Sequence, residues 1–290
     1  MTVVVVGDVA TDVVAVLAGE PAPGSDRPAS IRSRGGGAGA NVAVHLAQLG
    51  TPVLLAGCIG DDAAGTALAT ELAAAGVDLR LRTVPGAATG TIVSLVEPGG
   101  QRSMLADRGA NLQLRPDDVP TPPPGGHLHL SGYTLLDPGP RSAGLAALEA
   151  AVVAGCTVSI DPASTGPLTR YGVDRWLADT AAATLLLPNA DEARLLTGCV
   201  DAPDAARALA RRHAIVAVSL GADGALWASG DLLVHRPAHP TDVVDTTGAG
   251  DAFAAGLMAA WLADHAVDPA VALDAGLARA AEVVRRPGAR

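Results

Sequence analysis

Asp245-Thr246-Thr247-Gly248-Ala249-Gly250-Asp251 lies between a β-rich segment and a helical pattern that begins near Ala249. Its three small residues let the backbone turn tightly and expose its N–H groups. The first turn of the helix that follows leaves further N–H donors without intrahelical partners. Helix N-termini favour negative charge, so this turn suits a phosphate. Asp251 is out of place in a plain phosphate cradle, because a carboxylate repels the ligand. It has a use if it accepts a proton from a hydroxyl that then attacks phosphorus. Read alone, the stretch is also an ordinary helix start, with Asp and Thr as N-cap residues and Gly as a turn residue. The rest of the chain decides between the two.

Outward from this turn, strand and helix patterns alternate. Val3 to Val6 reads as a buried first strand. His127 to Ser131, Cys156 to Ile160, Leu185 to Leu187 and Ile215 to Val218 read as further strands. Helices are expected over Ala40–Leu49, Ala63–Ala75, Arg141–Ala154, Ala190–Leu196 and Ala202–Arg212, with two long ones at the end of the chain. This alternation predicts an α/β fold with a mostly parallel sheet covered on both faces. Two stretches break the pattern. Residues 9–34 hold two short β runs around a Gly/Pro-rich turn. Thr91–Val96 and Arg102–Leu105 read as a hairpin turning through Glu97-Pro98-Gly99-Gly100. The two could pair as a small sheet outside the core.

The composition excludes several classes. The chain has 290 residues and 20 basic ones, every one of them Arg. Without lysine there is neither a phosphate-loop NTPase motif nor a lysine Schiff base. A net charge of −10 argues against nucleic acid and anionic membranes as partners. A nucleotide would arrive with its charge masked, most simply by Mg²⁺. Cys58, Cys156 and Cys199 show no metal-ligand spacing; Cys156 and Cys199 are expected as buried thiols. No run reaches the ~18 apolar residues of a membrane span, and Val3–Val6 is too short for a signal-peptide core, so a cytoplasmic protein is expected.

Four further stretches carry possible chemistry. Gly35-Gly36-Gly37-Ala38-Gly39-Ala40-Asn41 allows close approach to the backbone, and Asn41 offers a donor and an acceptor to a hydroxyl. It is equally a flexible linker with an Asn cap. Asp8 and Asp12 follow the first strand, where an Asp can grip two sugar hydroxyls; solvation in a loop is the plainer reading, more so for Asp8. Asn189 and Glu192 have the spacing of a capping box, and Glu192 is also a candidate partner of Mg²⁺-bound water. Ser219-Leu220-Gly221-Ala222-Asp223-Gly224 offers small residues at a strand end, suited to a flat adenine or ribose edge, or simply a turn. A dinucleotide fingerprint is missing from Gly7-Asp8-Val9-Ala10-Thr11, which disfavours a nicotinamide oxidoreductase.

Together and in this order, these stretches resemble the ribokinase family of carbohydrate and nucleoside kinases, the PfkB-type kinases. Gly36 to Asn41 resembles its N-terminal signature, Asp245 to Asp251 its C-terminal signature, and Asn189 to Glu192 its Asn-x-x-Glu motif. The resemblance implies a ribokinase-like three-layer α/β/α sandwich with a mostly parallel central sheet and a small β-sheet lid. It implies residues 1–11, 35–87 and 106–290 as core, with 12–34 and 88–105 as a lid, often shared in a homodimer. It implies ATP-dependent transfer of the γ-phosphate to a hydroxymethyl group of a sugar. Asp251 is the implied base, and Gly248, Ala249 and Gly250 the anion hole. Asp12, Gly36, Gly37 and Asn41 would contact the substrate. Asn189, Ser219, Gly221 and Gly224 would face the nucleotide, and Glu192 would reach Mg²⁺ through water. Asp245 is implied beside a monovalent cation such as K⁺, although the family's cation loop continues beyond the glycine matching Gly288. Gly132 stands where ribokinases carry a substrate-binding Glu. A nucleoside kinase of adenosine or pseudouridine type is the alternative on the same fold. The low aromatic content, 2%, leans towards sugars. A non-catalytic sugar-binding regulator is the rival from another class.

Overall fold

The computed structural model of the chain describes residues 1–20, 23–97, 102–286 and 288–290. The core of the expected hairpin turn, Pro98-Gly99-Gly100, and two residues of the Gly/Pro-rich turn at 18–27 lie outside the described residues.

The chain begins with β1 (Val3–Val6), β2 (Ala10–Leu17) and β3 (Ala29–Gly36), then α1 (Ala38–Gln48), β4 (Val53–Gly60), α2 (Ala63–Ala74) and β5 (Asp78–Val84). β6 (Gly90–Val96) and β7 (Arg102–Asp107) come next, followed by β8 (His127–Ser131), α3 (Tyr133–Leu136), α4 (Arg141–Val153) and β9 (Thr157–Asp161). α5 (Thr165–Tyr171), α6 (Val173–Asp179), β10 (Leu185–Leu186), α7 (Ala190–Thr197) and α8 (Ala202–Leu209) lead to β11 (Ile215–Ser219). The hairpin β12 (Ala225–Ser229) and β13 (Leu232–Arg236) precedes α9 (Ala249–Ala263) and α10 (Pro269–Val283).

Nine strands form the main sheet in the order β13-β12-β11-β10-β9-β8-β1-β4-β5. The run from β11 to β5 is parallel, and β12 and β13 add an antiparallel edge. The valines of β1 show why both faces are covered. Successive strand side chains point to opposite faces. Val3 and Val5 belong to the buried cluster that holds Leu46 of α1, Leu257 of α9 and Leu273 of α10. Val4 and Val6 belong to a second buried cluster, which holds Leu148 of α4, Trp176 of α6 and Leu209 of α8. Each such valine contributes on the order of 1.5–3 kcal/mol by leaving water. The result is the α/β/α sandwich that an unbroken valine run requires.

The two irregular stretches do pair. β3-β2-β6-β7 forms a separate four-stranded sheet, with β2 and β6 parallel in register from Ala10 opposite Gly90 to Val16 opposite Val96. Its strands overrun the expected lid limits: β3 extends through Gly35 and Gly36, and β7 reaches Asp107. The edge strand β5, the short helix α3, and α5 and α6 over residues 165–179 were not anticipated from the sequence. Cys58 and Cys156 are buried, whereas Cys199 is half-buried. Among the described residues no helix is long and apolar enough to cross a membrane.

Candidate active site

Strand order reverses beside β1: the chain passes from β1 through α1 to β4 on one side, while β8 lies on the other. Such a switch point opens a crevice at the carboxyl ends of the strands. The polar residues gather there. Asp8 follows β1, Ser131 ends β8, Asp161 ends β9 and Ser219 ends β11.

Three cavities meet at this end of the sheet. One of about 690 Å³ lies under the small sheet, lined by Asp12, Gly37, Asn41, Arg108, Tyr133 and Asp251 among others. A second, of about 460 Å³, is lined by Ser219, Gly221, Gly224, Val243, Leu277 and Ala280 among others. A third, of about 160 Å³, lies between them and is lined by Asp161, Asn189, Glu192, Gly248, Gly250 and Asp251. The turn Gly248–Asp251 is shared: Gly250 borders the second and third cavities, and Gly248 and Asp251 border the first and third.

That turn has the backbone its sequence calls for. Gly248 caps α9 at φ 75°, in the left-handed region where a side chain is strained. The amide of Ala249 donates to Thr246 O at 3.2 Å. The start of a helix leaves the Gly250 and Asp251 amides without intrahelical acceptors, and no atom lies within 4 Å of where a Gly250 Cβ would stand. Asp245 braces the turn. Its Oδ1 accepts from the Thr247 amide at 2.9 Å and hydroxyl at 2.7 Å, and its Oδ2 from the Gly288 amide at 3.0 Å.

Asn41 Nδ2 donates to Asp251 Oδ2 at 2.8 Å, and Asn41 Oδ1 accepts from Arg290 Nη1 at 3.0 Å. Asn41, read from sequence as a substrate contact, is thus first a partner of Asp251. Gly36 is not a lining residue. It makes room for Asp12: a Cβ there would come within 2.4 Å of the Asp12 carboxyl. Asp8 is buried rather than solvated, accepting from Ser131 Oγ at 3.3 Å and pairing with Arg108 at 3.4 Å. Arg108 also pairs with Asp137 at 3.5 Å and stacks 3.6 Å above the Tyr133 ring. Asn189 and Glu192 do form the capping box, with both bonds at 2.9 Å, and Glu192 still borders the central cavity. Asn189 faces the first and third cavities rather than the second. At Gly132 a Cβ would meet Asp161 O at 2.4 Å, so this position carries no side chain into the pocket.

Charge in the crevice is unbalanced. Burial raises Asp251 well above the usual carboxylate range; the Asn41 hydrogen bond opposes this, and Asp161, Asp8 and Asp12 reinforce it. Asp12 is pushed up to about 6 by burial and by Asp8, with Arg290 opposing. Asp161 rises to about 6 through burial. Burial and the neighbouring Asp161 push Glu192 up to about 8. These carboxylates crowd together with Arg108 as the lining cation of the large cavity. Among the described residues no group of three or more His, Cys, Asp or Glu side chains is arranged to hold a metal by itself.

Sequence reasoning missed Asp161 and Arg290. Asp161 ends a buried strand as Asp8 follows one, so the same signal was present. It accepts from the Ala163 amide at 2.6 Å, and Ala163 holds φ 72°, a strained conformation for a non-glycine residue at the cavity wall. Arg290 offers no local signal, because its partners lie some 220 to 250 positions away. Arg285 and Arg286 lie beyond the end of the final helix at Val283.

The fold and this constellation define a class of enzyme. The pfkB family carbohydrate kinase profile matches residues 1–290, and the chain belongs to that family. An ATP-dependent ribose-1-phosphate kinase from Halopiger xanaduensis is 36% identical over 274 residues, covering 92% of this chain and 87% of that protein. A fructokinase from Klebsiella pneumoniae is 35% identical, covering 84% of this chain and 82% of its own length. Among solved structures, aminoimidazole riboside kinase from Salmonella enterica, complexed with aminoimidazole riboside and an ATP analogue, superposes with a TM-score of 0.84 at 30% identity, covering 100% of this chain and 95% of that one.

Proposed function

We propose that the chain is an ATP-dependent sugar kinase that transfers the γ-phosphate to a hydroxymethyl group. The observation that carries this reading is the shared turn: Asp251 borders the cavity under the small sheet, and Gly250 borders the cavity at Ser219 and Gly221. A hydroxyl held in the first and a triphosphate reaching from the second would meet at the Gly248–Asp251 amides. Asp251 takes the hydroxyl proton, the oxygen bonds to the γ-phosphorus, and the bond to the β-phosphate oxygen breaks to release ADP. The unpaired amides of this turn, Gly250 foremost, stabilise the charge on the transferring group, while the Ala249 amide, implied by the resemblance as part of the anion hole, is held by Thr246 O.

Ser219, Gly221 and Gly224 would face the nucleotide, with Val243 and Leu277 giving apolar walls to a flat base. Asp12, Gly37 and Asn41 would hold the sugar, with Gly36 giving Asp12 its place. Mg²⁺ fits as a companion of the triphosphate. Asp161 and Glu192 are hard oxygen donors on one cavity, a small set of the kind Mg²⁺ accepts when phosphates and waters complete its shell. When bound, the ion neutralises phosphate charge. Asp245 is proposed near a monovalent cation such as K⁺. The small sheet acts as a lid that excludes water. Ile31, Met104 and Leu105 are exposed on it by 66%, 64% and 58%, which supports a homodimer through this sheet.

A nucleoside acceptor is the second reading, favoured by the Tyr133 ring on the cavity wall and by the cavity's volume of about 690 Å³. An ADP-release assay over sugars, sugar phosphates, sugar acids and nucleosides separates the two. Turnover is expected with a sugar carrying a free hydroxymethyl group. No turnover with any acceptor, despite ATP binding, would return the chain to a binding role. Gly250→Leu is expected to abolish turnover by filling the phosphate site; normal turnover would argue against that site.

A further inference from the structure

A fourth cavity, of about 400 Å³, opens on the side of the molecule where β3, α1, α10 and the residues after α10 come together. Arg34 on β3, Arg279 on α10, and Arg286 and Arg290 beyond it line the cavity, with His45 of α1. Glu282 is the one carboxylate among the described lining residues, and it is held by Arg279 at 2.8 Å. Glu71 adds a second carboxylate nearby, paired with Arg290 at 2.9 Å but 49% exposed. A chain with a formal charge of −10 therefore places four of its 20 basic residues around one hollow.

The chain leaves part of this charge unanswered. Arg290 is only 4% exposed. Arg279 Nε and Arg290 Nη2 are buried and have no hydrogen-bond partner. A buried guanidinium donor without a partner carries the full cost of its lost hydration. His45 gives Arg279 an acceptor but no negative charge. Arginine only donates, so the contact of Arg279 Nη2 with His45 Nδ1 at 3.0 Å makes Nδ1 an acceptor. The contact of His45 Nε2 with Ala289 O at 3.0 Å then puts the proton on Nε2. The ring is neutral, in keeping with a pKa lowered to about 4 by burial and by Arg279. Glu282, His45 and Gln48 accept from Arg279, and Glu71, Gly36 O and Asn41 accept from Arg290, which leaves Arg279 Nε and Arg290 Nη2 as the unanswered donors among these contacts.

We infer that this arginine-lined cavity binds a dianionic phosphate group, as inorganic phosphate or as a phosphomonoester. Planar guanidinium forks match phosphate oxygens, and a dianion among several of them gains charge-assisted hydrogen bonds. The cavity is separate from the phosphate turn at Gly248–Asp251, since the two share no lining residue. They are nonetheless linked: Arg290 lines the arginine cavity and holds Asn41, which holds Asp251.

Calorimetric titration with inorganic phosphate, and separately with ribose 5-phosphate, tests the site on the whole chain at low ionic strength. Saturating ADP and the preferred acceptor are present to occupy the crevice. Wild type is expected to bind one equivalent of at least one probe. A response to both assigns the site to phosphate as such, and a response to ribose 5-phosphate alone assigns it to a phosphomonoester. Arg286→Gln, at an exposed position, is expected to weaken binding at least about tenfold, the loss of one charge-assisted contact. Arg279→Gln is expected to weaken it further, with thermal unfolding of both variants recorded as a check on folding. No binding of either probe, or binding unchanged in a folded Arg286→Gln and a folded Arg279→Gln, overturns the inference. Turnover of the variants without phosphate is a separate reading, so loss of this site and loss of the kinase assignment are distinguishable.

Discussion

The crevice under the small sheet and the cavity beside α10 are opposites in charge, and Arg290 connects them. The first gathers Asp12, Asp161 and Asp251 against Arg108; the second gathers Arg34, Arg279, Arg286 and Arg290 against Glu282. Burial and neighbouring carboxylates raise Asp251 well above the usual carboxylate range. A guanidinium at the edge of such a cluster works in the other direction, and Arg290 lowers Asp12 against its burial. The difference teaches that the ionisation of Asp251, the proposed base, is opposed by burial and eased by a chain of contacts. Arg290 orients the Asn41 amide, and Asn41 then donates to the carboxylate that must ionise.

The sharpest break of that comparison is removal of the base. Asp251→Asn is expected to lower kcat at least about 10²-fold, with nucleotide binding by calorimetry unchanged. Full turnover would remove Asp251 from the chemistry. Next comes the intermediary. Asn41→Ala deletes a donor that favours the ionised carboxylate, so the Asp251 pKa rises and the acid limb of the kcat–pH profile moves to higher pH. A loss of roughly tenfold at pH 7 is expected for a hydrogen bond to a charged group. An acid limb that stays put would show that Asn41 serves the substrate alone.

Arg290→Gln is expected to act more weakly. Asp12 loses its lowering partner, and the acid limb of kcat/KM moves up. A loss of about twofold in rate near pH 6 is expected, because less of Asp12 is ionised there. The smallest effect concerns stability. Glu192 has a folded-state pKa raised from 4.5 to about 8, so between those values the folded state binds more protons than the unfolded one. Stability is therefore fully present at the lower pH and is lost as pH rises through that window. Glu192→Gln is expected to flatten this decline in Tm by a few degrees at pH 8. An unchanged slope would show that the capping box, rather than the charge, governs this residue.

Much of the fold was legible because it rests on local pattern. The Val3–Val6 run read as a strand buried on both faces, and the helices expected over Ala40–Leu49 and Ala63–Ala75 match α1 and α2 closely. Asp78–Val84 also alternates, with Leu79 and Leu81 on one face, and could have been read as β5. Residues 165–179 were opaque because α5 and α6 are seven residues each, too short for a clear period. In the site, the Gly248–Asp251 turn and the Asn189–Glu192 pair were readable because capping chemistry is local. Asp8 was underestimated because its burial depends on Arg108, 100 positions away.

By itself, the sequence determined the parallel sandwich, the family signatures and the pairing of an acid with a glycine turn at a helix start, since strand alternation, helix caps and glycine turns act within a few residues. The tertiary structure alone decided what each acid faces. It brought Asn41 to Asp251 across 210 positions and Arg290 to Asn41 across 249. Burial and opposing charge are sums over every neighbour in space, so the ionisation of Asp251, and the arginine cavity next to it, exist only once the chain has folded.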